Sequence, residues 1–158
     1  CMAKCAEGVK KYEEAYLLYD RLYRKSQAPR FYLRLGRSAF YCNRHEEAMD
    51  FLNRAISCET LGLSEKGEAL FYRGMLLKER NETERAEQDW NMAFQEGDKH
   101  RLDILYRLAR LCLERGKTRQ AVGYLEKALA YLAEDRFSSI DPLQIHLPLA
   151  EGYFQMGE

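Results

Sequence analysis

Arginine, tyrosine and methionine side chains at recurring intervals give this chain its clearest chemical potential. Arg34 and Arg37 stand three residues apart, and Arg107 and Arg110 repeat the interval. Side chains three or four apart share one face of a helix. Guanidinium forks placed there suit carboxylates or phosphates. Tyr41, Tyr72, Met75 and Tyr106 fall in the same periodic slots, and tyrosine and methionine adapt to apolar side chains. The chemistry implied is recognition of an acidic segment bearing an aromatic or aliphatic anchor. The competing reading is a plain solvated face, with Asp103 pairing to Arg107 and Glu114 to Arg110 at four-residue spacing.

Bond-making chemistry has weaker support. A nucleophile with its base, paired carboxylates or a metal set would be needed. His45, His100 and His146 are far apart, each at a predicted turn or helix start. The five cysteines, Cys1, Cys5, Cys42, Cys58 and Cys112, contain no C-x-x-C. They read as mostly buried thiols in a reducing, cytoplasmic setting. Cys1 also raises the thought of a lipid-anchored amino terminus, but the residues after it read as helix and not as a tether. Glu13-Glu14 and Glu46-Glu47 precede alanines at the starts of helices, where acidic residues favour the helix dipole. No catalytic residue, cofactor or metal is expected.

The elements that position these residues are visible as a repeat. A small residue is followed twelve places later by alanine at Ala3–Ala15, Gly36–Ala48, Gly74–Ala86 and Ala109–Ala121. The alanines recur after 33, 38 and 35 residues. Around them Tyr32-x-x-Leu35-Gly36-x-x-Ala39 precedes Ala48-x-x-x-Leu52-x-x-Ala55, and Leu70-x-x-Arg73-Gly74-x-x-Leu77 precedes Ala86-x-x-x-Trp90-x-x-Ala93. Leu105-x-x-Leu108-Ala109-x-x-Cys112 precedes Ala121-x-x-x-Leu125-x-x-Ala128, and His146-x-x-Leu149-Ala150-x-x-Tyr153 stands alone. These spacings describe pairs of amphipathic helices joined by short turns. Asn43, Asn81 and Gly116 occupy the turns; asparagine and glycine tolerate the left-handed conformation that ends a helix. The Asn81-Glu82-Thr83 sequon is therefore read as a turn. Small residues let the paired helices approach, and Leu52, Trp90 and Leu125 are expected to fill space against the next pair.

In phase, these motifs resemble the tetratricopeptide repeat family over nearly the whole chain. The resemblance implies an all-α fold, a right-handed superhelical solenoid of antiparallel helix hairpins. It divides the chain into a partial first repeat at 1–28, repeats at 29–66, 67–101 and 102–140, and the first helix of a fifth at 141–158. Arg73 and His146 depart from the family's apolar preference. The Cys58–Lys66 linker and the Glu134–Asp141 connection are expected to be extended. Pro142 is expected to open the last helix, with a kink at Pro148 unless that helix begins later.

The resemblance further implies a non-enzymatic protein-binding scaffold whose ligands lie on a concave wall built from first helices. The inward residues would be Arg34, Arg37, Tyr41, Tyr72, Met75, Tyr106, Arg107 and Arg110, beside neighbours such as Arg30, Leu33, Glu68 and Phe71. With helices roughly 10 Å apart, the two arginine pairs would stand on the order of 20 Å apart, about six extended residues. A chaperone-type carboxylate clamp does not fit, since the inward slots lack asparagine. Equal acidic and basic counts give zero formal charge, which argues against sequence-blind nucleic-acid binding. No apolar run reaches membrane-spanning length. The partner is expected to be a protein or peptide, with self-association through apolar residues Leu143–Met156 as an alternative, or a regulatory role within a larger enzyme.

Overall fold

The computed structural model describes residues 2–97, 100–134 and 141–157, with side chains from residue 10 onward and up to residue 132 in the second stretch. The described residues are helical throughout, apart from turns and short connections. The chain forms two compact units, Cys1–Asp98 and Lys99–Glu158. The first contains α1 (Met2–Ser26), a short 3-10 turn at Pro29–Phe31, α2 (Tyr32–Tyr41), α3 (His45–Ser57), α4 (Leu63–Glu79) and α5 (Thr83–Gln95). The second contains α6 (Arg101–Glu114), α7 (Thr118–Glu134) and α8 (Pro142–Met156).

The hairpin turns follow from single residues. Asn43, Asn81 and Gly116 adopt φ of 57°, 62° and 67°. Each reverses the chain in the same way. The N–H of Arg44 returns to the Ala39 carbonyl at 2.9 Å, that of Glu82 to Leu77 at 2.9 Å, and that of Lys117 to Cys112 at 2.8 Å. A left-handed residue thus satisfies carbonyls that the helix end would leave unbonded.

The hairpins pair α2 with α3, α4 with α5, and α6 with α7. Their interiors hold the repeated small residues: Ala48, Ala86, Ala93, Ala109, Ala121 and Ala128 are fully buried. Leu52 and Trp90 lie over the glycines of their own hairpins. A Cβ on Gly36 would come within 2.9 Å of Leu52, and one on Gly74 within 2.5 Å of Trp90 Nε1. The absent side chain is the volume that the large one fills. Trp90 Nε1–H also donates to the Phe71 carbonyl at 3.3 Å, which makes burial of the indole tolerable. Leu35, Leu52, Leu105, Leu108 and Leu125 complete the two cores, each contributing about 1.5–3 kcal/mol by leaving water.

Three local features differ from the expectations. α1 runs unbroken from Met2 to Ser26, so the Ala3–Ala15 interval lies inside one helix and crosses no turn. α4 begins at Leu63, within the expected Cys58–Lys66 linker, because Glu65 Oε2 accepts the Gly62 N–H at 3.2 Å and caps it. In α8 the packing face is Ile145, Leu149 and Gly152, while His146 and Ala150 are exposed. That helix packs on α7, where a Cβ on Gly152 would meet Val122 Cγ2 at 2.6 Å. The face carrying His146 and Ala150 points away from that contact. Pro142 opens α8, with Asp141 capping the Leu143 N–H at 3.0 Å, and the helix runs on through Pro148. Of the Glu134–Asp141 connection, residues 135–140 lie outside the described residues.

Candidate functional site

In the first unit the candidate residues lie on two first helices, α2 and α4, which also touch along their length. One row begins at Arg30 in the 3-10 turn and continues along α2 through Arg34, Arg37 and Tyr41, at helical spacing. Its counterpart on α4 runs Glu68, Tyr72, Met75. The rows meet at a seam. Arg37 Nη1 donates to Glu68 Oε1 at 2.9 Å, and the Tyr41 and Tyr72 hydroxyls lie 3.3 Å apart. Tyr72 also packs against Phe40 and Phe71, with ring centroids 5.4 and 5.3 Å away.

Tyr72, Glu68, Leu33 and Phe71 are therefore buried, and not open to a ligand as expected. Neighbouring first helices press together, so the rows at their contact leave water. Burial, with the bond to Tyr41, pushes the Tyr72 phenol far above its ordinary value. Burial acts to lower the Arg37 guanidinium, but the bond and charge of Glu68 outweigh it and raise it. Arg37 is thus a structural cation fixed to a buried carboxylate. Arg34, Tyr41 and Arg30 remain exposed and Met75 half-buried.

α1 supplies aromatic side chains that the arginine rows alone did not reveal. Tyr12, Tyr16, Tyr19 and Tyr23 form one helical stripe. Tyr12 stacks on Tyr41 with centroids 4.1 Å apart. Tyr16 donates to Glu47, and burial, then that carboxylate, pushes its phenol up to about 12. Tyr23 packs against Tyr32 and Phe51. Arg34 lies over the Tyr19 ring at 5.7 Å and donates to its hydroxyl at 3.4 Å. The stripe's 4-3-4 spacing was the signal available in the sequence.

In the second unit Tyr106, Arg107 and Arg110 share one face of α6, Arg110 exposed and the other two half-buried. Arg107 Nε lies 3.5 Å from Asp103 Oδ1, the four-residue pair expected from the sequence. Arg110 rests over the Tyr106 ring at 5.9 Å. The two arginine pairs belong to different units, so the structure brings each to its own first-helix face. Among the described residues, no group of three His, Cys, Asp or Glu side chains is placed to hold a metal ion. No described helix is long and apolar enough to cross a membrane.

A family model described as tetratricopeptide repeat matches residues 29–58 and 102–131. No curated protein matches the chain. The fold is similar to that of MamA, at 16% identity and a TM-score of 0.71, covering 92% of this chain and 79% of that one. It is also similar to the C-terminal part of a TPR repeat-containing protein from Cytophaga hutchinsonii, at 19% identity and a TM-score of 0.68, covering 100% and 59%. A putative kinesin light chain from Podospora anserina, with nearly identical TPR-like repeats, matches at 18% identity and a TM-score of 0.66, covering 99% and 87%. The two matched segments span α2–α3 and most of α6–α7. Repeats of this kind generally mediate contacts between proteins.

Proposed function

We propose that this chain, tetratricopeptide-like in fold and in two matched segments, is a non-catalytic scaffold that binds a peptide or protein segment on its first-helix faces. The segment is acidic, or ends in its own carboxylate, and carries an apolar anchor. One observation carries this reading. Arg34 and Arg110 are exposed, and each lies over a tyrosine ring, Tyr19 and Tyr106. An arginine on an aromatic face is held in place while its charge stays available to an anion. Tyr41 and Met75 in the first unit offer adaptable apolar surface beside it. Cys42, Cys58 and Cys112 are free thiols, which supports a reducing, cytoplasmic setting.

The test is selection of binders from a displayed library of random peptides with free C-termini. Acidic peptides should be enriched. The double variant Arg34→Glu with Arg110→Glu should weaken their binding at least about tenfold, a loss of about 1.4 kcal/mol, with an unchanged melting temperature. Arg37 is unsuitable for reversal, since a glutamate there would face Glu68. Equal binding by the variant would sink the reading.

A second reading, self-association through the last helix, is favoured by α8. Leu143, Leu147 and Phe154 stand exposed on it. Sedimentation over a range of concentrations separates the two: a monomer that binds peptide supports the first, and oligomers lost on Leu147→Lys support the second.

A further inference from the structure

The seam between α2 and α4 places a cation outside and a carboxylate behind it. Arg37 Nη1 donates to Glu68 Oε1 at 2.9 Å, yet the Arg37 side chain is 32% exposed and that of Glu68 only 11%. The contact uses one nitrogen and one oxygen. Arg73 and Asp89, by contrast, meet through two nitrogens and both oxygens at 2.7 Å, the forked form that binds a carboxylate most firmly. Arg37 thus stays within reach of a ligand while its charge is already matched.

Arg34, one turn earlier on α2, is exposed and rests on a neutral neighbour. It lies over the Tyr19 ring at 5.7 Å and donates to the Tyr19 hydroxyl at 3.4 Å. A tyrosine positions a guanidinium without cancelling its charge. The same fork is therefore presented twice on one helix, once charged and once neutralised. The seam itself needs only an acceptor at position 68. A glutamine there would offer Arg37 an equivalent oxygen, and a buried ion pair is weak evidence for stability, since desolvation opposes its attraction. The negative charge of Glu68 acts instead on whatever approaches Arg37.

We propose, on the acidic-peptide reading above, that Glu68 sets the specificity of this face by neutralising Arg37, so that α2 reads one acidic residue, at Arg34, and not two. The bound segment then carries one carboxylate opposite Arg34, an uncharged residue opposite Arg37, and its apolar anchor toward Tyr41 and Met75. A second carboxylate opposite Arg37 would meet the guanidinium and, behind it, the Glu68 carboxylate. Attraction to one and repulsion by the other largely cancel. Helix residues three apart stand about 5–6 Å from each other, and alternate side chains of an extended peptide about 7 Å. The second carboxylate would therefore stand two residues from the first. Glu68 determines specificity through Arg37 and need not touch the ligand.

Peptides selected by the whole chain from a displayed random library supply the probe. The tightest one with a single acidic residue is the parent, and two derivatives carry a second glutamate two residues before or after the first. Fluorescence polarisation then gives the affinity of the better derivative relative to the parent. For the wild type that ratio should lie within about twofold of unity. For Glu68→Gln the derivative should bind at least about fivefold more tightly than the parent. Adding Arg37→Gln to Glu68→Gln should return the ratio to about one. A ratio taken within one protein is insensitive to partial unfolding, which weakens both peptides alike. An unchanged ratio in Glu68→Gln, a gain that survives Arg37→Gln, or wild-type selection of acids paired two residues apart overturns the proposal and leaves the acidic-peptide reading standing. If the wild type enriches no acidic peptide at all, that reading fails, and the role of Glu68 with it.

Discussion

Arg73 and Asp89 form a forked ion pair, with Arg73 Nε and Nη2 each donating to one carboxylate oxygen at 2.7 Å. A third guanidinium nitrogen, Nη1, donates to Asn53 Oδ1 at 2.9 Å. Asp89 is buried, so Arg73 on α4 ties together α3, α4 and α5. The departure from leucine at position 73 is therefore matched by an acid on the facing helix. Replacing Arg73 by leucine alone should cost about 2–4 kcal/mol in urea unfolding, because it strands a buried carboxylate. Adding Asp89→Leu to that variant should recover most of the loss. Additive costs in the double-mutant cycle would show that the pair is not coupled.

Gly74→Ala should destabilise more than Gly36→Ala. The new methyl on Gly74 would stand 2.5 Å from the rigid indole of Trp90, whereas Gly36 faces the leucine side chain of Leu52 at 2.9 Å. Overpacking of this kind costs about 1–3 kcal/mol. Combining Gly74→Ala with Trp90→Leu should restore part of it, read as a rise in melting temperature over Gly74→Ala alone.

Asn81→Gly should hold or raise stability by a few tenths of a kcal/mol, and Asn81→Ala should lower it by about 1 kcal/mol. Its φ of 62° is free for glycine and strained for alanine. The same order should hold at Asn43, whose φ is 57°. Thermal unfolding of the four variants checks it, and an alanine as stable as the glycine would contradict the turn geometry.

Alkaline pH should loosen the α1–α3 contact. Tyr16 is held protonated in the fold, with its phenol raised from 10.0 to about 12. The unfolded chain gives up that proton first. The stabilisation is complete below pH 10 and is lost as pH rises from 10 to about 12. Tyr72 shifts in the same direction. Tyr16→Phe should flatten the decline across that window, by on the order of 1–2 kcal/mol. An identical decline in both proteins would show that Tyr16 does not contribute to it.

Much of the fold was legible because its signals are local. Periodicity in steps of three and four fixes which residues share a helix face, and Asn43, Asn81 and Gly116 mark reversals by their own backbone preferences. The four-residue Asp103–Arg107 pair is local in the same sense. The candidate site was legible only in part. Arg34, Arg37, Arg107 and Arg110 are on first helices as their spacing implied, but spacing does not say what lies across from each.

Sequence by itself determined that the chain is a succession of helices with small residues at regular intervals, and where its turns fall, because helical phase and left-handed turns depend on neighbours in the chain. Only tertiary structure decided that Arg37 is bound to Glu68 while Arg34 faces a tyrosine, that Tyr72 is buried, and that Leu52 and Trp90 cover their own glycines. Those outcomes depend on which rows of two helices meet: Arg37 and Glu68 lie 31 positions apart, Arg34 and Tyr19 lie 15 apart, and the glycines meet residues of the other helix of their own hairpin. Burial and pairing belong to that contact, and nothing in either row alone specifies it.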